Sequence, residues 1–161
     1  MFAKKIDIIF SDRNKPISRI NASLTIFTLY KNNYDILLSQ SDIDGRITIK
    51  KEWLINEMNS MCNLFPMDYS SNIENTKPFF EIRVLNFDDT KELISNLKLW
   101  KSVNKLTDEQ ISCYENNNNG LYSTCTKIVE LTSEDSIVVY VELKRKYRDG
   151  SSTGDGSVCS N

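Results

Sequence analysis

Apolar residues recur along this chain with two different periods, and the change of period divides it. Ile6, Ile8 and Phe10 alternate with Lys5 and Asp7. A period of two sets one face of a strand against a core. Ala22 to Tyr30 is rich in Thr, Ile, Phe and Tyr, which favour a pleated surface. Tyr34 to Gln40 reads as the next strand, and Arg46-Ile47-Thr48-Ile49-Lys50 alternates again. Turn chemistry separates these runs: Asn14-Lys15-Pro16, Lys31-Asn32-Asn33 and Asp42-Ile43-Asp44-Gly45. Proline fixes φ in the first and glycine supplies positive φ in the last. The first fifty residues therefore predict four strands with short connections.

After Lys50 the period lengthens. Leu54, Met58, Met61 and Phe65 fall at helical spacing, with Ile55 and Cys62 beside them, and Pro66 ends the run. A methionine stripe at this spacing reads as core. Asp68 to Lys77 has no period and predicts a loop. Pro78 precedes a fifth strand in which Phe80, Ile82 and Val84 share a face. Asp89 with Glu92 marks a helix start, its carboxylates at the positive end of the dipole, and Leu93, Leu97 and Trp100 line that helix. Thr107 with Gln110 forms a capping-box signature before a short helix ending near Tyr114. Asn116 to Asn119, followed by Gly120, reads as a flexible turn. Thr124 to Leu131 and Ser136 to Leu143 are the last strands, with Ile137, Val139, Val141 and Leu143 on one face of the second.

The expectation is an α+β fold: an antiparallel β-sandwich or sheet of six to seven strands, with two to three helices inserted after the fourth. Residues 1–147 are read as one globular domain. Residues 148–161 are read as a polar mobile tail, because Asp, Gly and Ser dominate and nothing there is larger and apolar than Val158.

Asp12 and Pro16-Ile17 in the first turn, Ala22, Leu24 and Ile26 in the second strand, and Ser41-Asp42-Ile43-Asp44-Gly45-Arg46-Ile47-Thr48-Ile49 form a further pattern. Over residues 5–50 the chain resembles the transthyretin-like (prealbumin-like) β-sandwich family, which includes the carboxypeptidase regulatory-like domains. That resemblance implies a binding or scaffold module and carries no catalytic residue to this chain. It stops at Lys50, where the helical segments enter.

Composition narrows the chemistry. The 161 residues suit a single domain. Lys plus Arg total 20 against 22 Asp plus Glu, a net charge of -2, and there is no histidine. Histidine triads, Cys-His dyads and His-containing metal sites are excluded. No run of about 18 apolar residues is present to make a membrane helix. Asp7 interrupts the apolar stretch after Lys4 and Lys5, so the N-terminus reads as a strand rather than a secretory leader, and the protein is expected in the cytoplasm. Cys62, Cys113, Cys125 and Cys159 form no C-x-x-C pair. They are expected as reduced thiols. Cys113 and Cys125 would be the pair to meet if the polar loop between them closed a hairpin.

Other candidates reduce to local roles. Asp42 to Gly45 echoes a calcium loop, but Gln40 and Lys51 stand at the flanking ligand positions, so it reads as a turn whose Asp side chains bond backbone. Asp88 with Asp89, Glu109 with Glu115, and Glu134 with Asp135 sit at helix starts or turns, where acidic residues are expected. There is no P-loop, dinucleotide fingerprint or nucleophile elbow. Lys144-Arg145-Lys146-Tyr147-Arg148 is a basic cluster that reads as a solvated strand end, and nucleic acid is not the favoured partner. What remains is a non-catalytic protein-binding domain without metal or cofactor. The concrete form is an immunity-type inhibitor occluding the active site of a basic toxin. Asp68, Tyr69, Asp88, Asp89 and Glu92 are its expected contact residues. Tyr69 follows Phe65-Pro66-Met67 in a stretch suited to an interface anchor. A structural or adaptor domain, and an enzyme of unfamiliar type, are the alternatives.

Overall fold

The computed structural model describes residues 3–29, 33–64, 76–86, 90–95, 98, 107–130, 134–146 and 159. β1 (Lys5–Asp12) is the centre of the first sheet. β5 (Arg46–Lys50) pairs antiparallel with it from Lys5↔Lys50 to Ile9↔Arg46, and the two-residue β2 (Lys15–Pro16) pairs with its far end. β8 (Ser136–Glu142) pairs along its other side in parallel, from Lys5↔Ser136 to Ser11↔Glu142. The second sheet runs β4 (Tyr34–Leu37), β3 (Ala22–Thr28), β6 (Thr76–Val84), β7 (Cys125–Glu130), all antiparallel. The fold is α+β as expected; the described residues form eight strands in two sheets, one more than the six to seven expected because the two-residue β2 is too short to show a period, and the β1–β8 pairing is parallel where an antiparallel arrangement is expected.

The period-2 residues do what their spacing dictates. Ile6, Ile8, Phe10, Ile47, Ile49, Val139 and Val141 of one sheet and Leu24, Ile26, Tyr34, Ile36, Phe80, Ile82 and Val129 of the other belong to one buried cluster. Burying each such side chain contributes about 1.5–3 kcal/mol, so the facing surfaces hold the sheets together. The Asp42 to Gly45 turn holds with one change of meaning; Lys15 and Pro16 of the first expected turn lie in β2, and Lys31 and Asn32 of the second lie outside the described residues. Asp42 Oδ1 accepts the Asp44 and Arg46 N–H groups at 2.9 and 3.0 Å. Gly45 lies at φ +72°, and a Cβ there would sit 2.4 Å from the Phe10 carbonyl. This turn does not join a hairpin: β4 before it and β5 after it lie in different sheets. The β1–β2 connection is a two-residue turn with Arg13 and Asn14 both at positive φ, 51° and 67°, the geometry that matches strand twist.

α1 (Lys51–Leu64) follows β5 directly and packs on β4 and β5, the edge strands of the two sheets. Leu54 and Met58 of the predicted stripe are buried; Phe65 and Pro66 lie outside the described residues. α2 is described over 90–95. α3 (Asp108–Glu115) carries both reciprocal bonds of the Thr107–Gln110 capping box. Lys98 beside α2 pairs with Glu115 at 3.0 Å. The three described α-helices thus follow the fourth long strand.

The asparagine run is the clearest departure from expectation. Asn119 is fully buried. Its Oδ1 accepts the Asn21 N–H at 2.7 Å, and its Nδ2 donates to the Asn21 and Leu85 carbonyls at 2.8 and 2.7 Å. Asn21, also fully buried, donates through Nδ2 to the Tyr114 carbonyl and accepts from Gln40 Nε2. The side chain of Asn118 reaches the Ser18 carbonyl, and its N–H reaches the Arg19 carbonyl. A run that composition marks as flexible is a polar clip joining the end of α3 to the starts of β3 and β7 and the end of β6.

The cysteine pairing also differs. Cys125 bonds Cys159, 34 residues on, and Cys113 is an exposed free thiol. Cys113 cannot meet Cys125 because Cys125 faces the core on β7. Cys159 joins that buried cluster although it sits in the segment of poorest core-forming composition.

Two outcomes follow. Asn119→Ala leaves the buried Asn21 N–H and Leu85 carbonyl without these partners, while the Asn21 carbonyl keeps the Leu85 N–H; at a cost of about 1 kcal/mol or more for each lost partner, urea unfolding should show a loss of about 2 kcal/mol. Burial holds the half-buried Glu57 carboxyl of α1 above its ordinary 4.5. Its charged form is then penalised in the fold. That penalty is absent at low pH, where the group is protonated folded and unfolded, and is complete once pH exceeds the folded-state value. Glu57→Gln should therefore stabilise at neutral pH and change nothing at about pH 3.5, by the same unfolding measurement.

Candidate protein-docking surface

The contact residues expected from sequence divide by where they fall. Asp68, Tyr69, Asp88 and Asp89 lie outside the described residues. Glu92 is exposed on α2. The described residues instead bring a different set together, on the side of the sandwich opposite α1.

α1 covers the β4/β5 side. On the other side the edge strands are β7 and β8. They are consecutive in the chain, yet they belong to different sheets. They close on each other at one end only, where Tyr122 and Arg145 form an isolated bridge and Ser123 N–H donates to the Lys144 carbonyl at 2.8 Å. Midway, the backbones part and a side chain spans the gap: Lys127 Nζ donates to the Tyr140 carbonyl at 2.9 Å. Lys127 occupies an inward position between Cys125 and Val129, and burial lowers its pKa from the ordinary 10.5. An inward lysine on an edge strand hinders unplanned strand pairing. Beside it, the Cys159 N–H donates to the Thr126 carbonyl at 2.8 Å.

Apolar side chains stand exposed along these two edges. Ile128 on β7 is 62% exposed, and Val138 and Tyr140 on β8 are 48% and 61% exposed. Register extends the β8 pair across the outer face of the first sheet. Ile9 lies between Tyr140 and Arg46, and Asp7 lies between Val138 and Thr48. Asp7 is covered despite facing outward. Thr48 Oγ1 donates to it at 2.6 Å, and Arg46 and Lys5 approach within 3.4 and 3.5 Å. The two cations are thereby turned inward onto one carboxylate, and the surface beside Val138 and Tyr140 carries less charge than its sequence suggests.

Charge runs in order along β8. Glu130, Glu134 and Asp135 are exposed at its start, Val138 and Tyr140 at its centre, and Lys144 and Arg145 after its end. The basic cluster is structural as well as solvated. Arg145 Nε donates to Asp12 at 3.1 Å and lies over the Tyr122 ring, 5.8 Å from its centre. Burial and the neighbouring Asp12 carboxylate raise the Tyr122 pKa from 10.0. Such a strip offers directional electrostatics and amphipathic contact area, the features of protein recognition.

Val138 and Tyr140 are not among the contact residues expected from sequence, although the chain carries a signal for them. Ile137 to Val141 is apolar at every position, whereas a strand with one wet face alternates. No helix among the described residues is long and apolar enough to cross a membrane. Set against protein-family models, curated proteins and solved structures, the chain matches none of them.

The distinction between docking and structural residues is measurable. Val138→Ser and Tyr140→Ser should shift stability by no more than about 0.5 kcal/mol, as exposed positions do. Asp7→Ala, which unpairs Thr48, Arg46 and Lys5, should cost about 1–2 kcal/mol by chemical denaturation.

Proposed function

We propose that this chain is a non-catalytic protein-binding domain that docks its partner along β8. The observation that carries this reading is the exposed Val138–Tyr140 pair on an edge strand, continued inward by Ile9 and flanked by acidic residues at one end and basic residues at the other. Tyrosine with a β-branched neighbour gives large contact area at low rotamer cost. The acidic start of the strand, with the net charge of -2, suits a basic partner. The concrete form is an immunity-type inhibitor that covers the active site of a basic toxin. The transthyretin-like resemblance of residues 5–50 agrees with a binding module. Asp68, Tyr69, Asp88, Asp89 and Glu92 form the second arm of the proposed contact. We place the domain in the cytoplasm, where thiol buffers make the Cys125–Cys159 bond one of two available states.

The test is affinity capture by the full chain from its native lysate, followed by mass spectrometry. A stoichiometric basic protein should be recovered by the unmodified chain and weakened at least about tenfold by Tyr140→Asp, a desolvated charge at the centre of the contact. Charge reversal at Asp88 and Asp89 should reduce the association rate and its salt dependence. Equal capture by Tyr140→Asp would refute docking along β8, and recovery of no partner by either chain would refute the binding reading itself.

A further inference from the structure

The two sides of the sandwich are closed by different means. On the β4/β5 side, α1 inserts the buried Leu54 and Met58. That closure is apolar packing. On the β7/β8 side, the closing groups are Lys127 on the Tyr140 carbonyl and Cys159 on the Thr126 carbonyl. Cys159 is also joined to Cys125 and buried to 5% exposure.

The seat of Cys159 depends on its covalent bond. Its neighbours Ser157, Val158, Ser160 and Asn161 offer one small apolar side chain among them. A single backbone hydrogen bond does not offset the entropy of fixing the residue that makes it. Cys125 differs. It lies in the β6–β7 ladder opposite Val84 and keeps its place whatever its sulfur is bonded to. Breaking the disulfide therefore releases one partner and leaves the other in the sheet.

We propose that the Cys125–Cys159 disulfide is a redox latch on the β7/β8 side of the sandwich. Oxidised, it holds Cys159 over the edge of β7. Reduced, it frees the Thr126 carbonyl and bares the strand edge beside the exposed Ile128. The step is thiol–disulfide exchange with a dithiol. One thiolate of the dithiol attacks a cystine sulfur, the Sγ–Sγ bond breaks, and the second thiolate resolves the mixed disulfide. The dithiol gives up two electrons and two protons and closes to its own disulfide, while Cys125 and Cys159 take them up as thiols. Burial of both residues makes attack wait on local opening, so the oxidised state is lost slowly. The latch stands on this geometry whether or not a partner docks along β8.

Hydrogen exchange of the full chain, air-oxidised or treated with dithiothreitol, tests it. Reduction should speed exchange in peptides spanning Cys125–Glu130 by at least about tenfold and leave β1 and β3 unchanged. Cys159→Ser should reproduce this without reductant. Alkylation should label Cys113 before reduction, and Cys125 and Cys159 only after it. Unchanged exchange in β7 on reduction would overturn the latch. So would loss of protection across both sheets, which would make the bond a staple for the whole fold, or labelling of Cys125 and Cys159 before reduction.

Discussion

Two sheets laid face to face leave unpaired backbone on four edge strands, and the arrangement of this molecule follows from how that backbone is covered. Exposed edges invite pairing with other chains, so a stable sandwich must obstruct them. On one side a helix does this. α1 begins at the residue after β5, because Lys51 N–H donates to the Lys4 carbonyl and turns the chain along the open side. On the other side, among the described residues, the strands and their own side chains do it. The β7–β8 connection changes sheets and leaves an opening that Lys127, Cys159 and the bridge at Tyr122 and Arg145 close at separate points. The parallel pairing of β8 with β1 is a consequence of the same crossing, since a strand leaving β7 for the far sheet arrives running with β1 rather than against it.

The ends of the sandwich pose a related problem in polar form. Chain segments that cross between sheets carry backbone groups into a region without ladder partners. Asn21 and Asn119 answer it with side-chain amides, each a donor and an acceptor, that stand in for missing strand neighbours. Arg19, at φ 58°, is held in its left-handed conformation by the same group of loops: its N–H meets the Ser41 carbonyl and its carbonyl takes the Asn118 N–H. Among the described residues, no buried side-chain nitrogen or oxygen lacks a partner, so the polar groups buried at this end are satisfied within the protein.

Local chemistry was legible in the sequence, and long-range pairing was not. Alternation and β-forming composition locate the seven long strands, the Thr107–Gln110 spacing locates a cap, and Asp42 to Gly45 announces a turn, because each signal spans fewer than ten residues. The same residues say nothing about which sheet a strand joins, so the change of sheet at Gly45 was invisible. Asn119 reads as loop by composition, and its burial depends on Asn21, 98 residues away. Cys159 reads as solvent-exposed tail for the same reason. For the candidate surface, the choice of Asp68, Tyr69, Asp88, Asp89 and Glu92 rested on charge and turn chemistry near one another in the chain. The described surface is built from β1, β7 and β8, which only folding makes adjacent. Val138 and Tyr140 were nonetheless available to a reading that asked why a half-wet strand had no wet residues.

The bond between Cys125 and Cys159 encloses the whole of β8 within a covalent ring. A single peptide cleavage inside that ring opens it without dividing the molecule, since the distal piece stays tied through sulfur. A protease acting there leaves a nicked protein of unchanged mass apart from one added water, and its two pieces stay covalently joined until the disulfide is reduced.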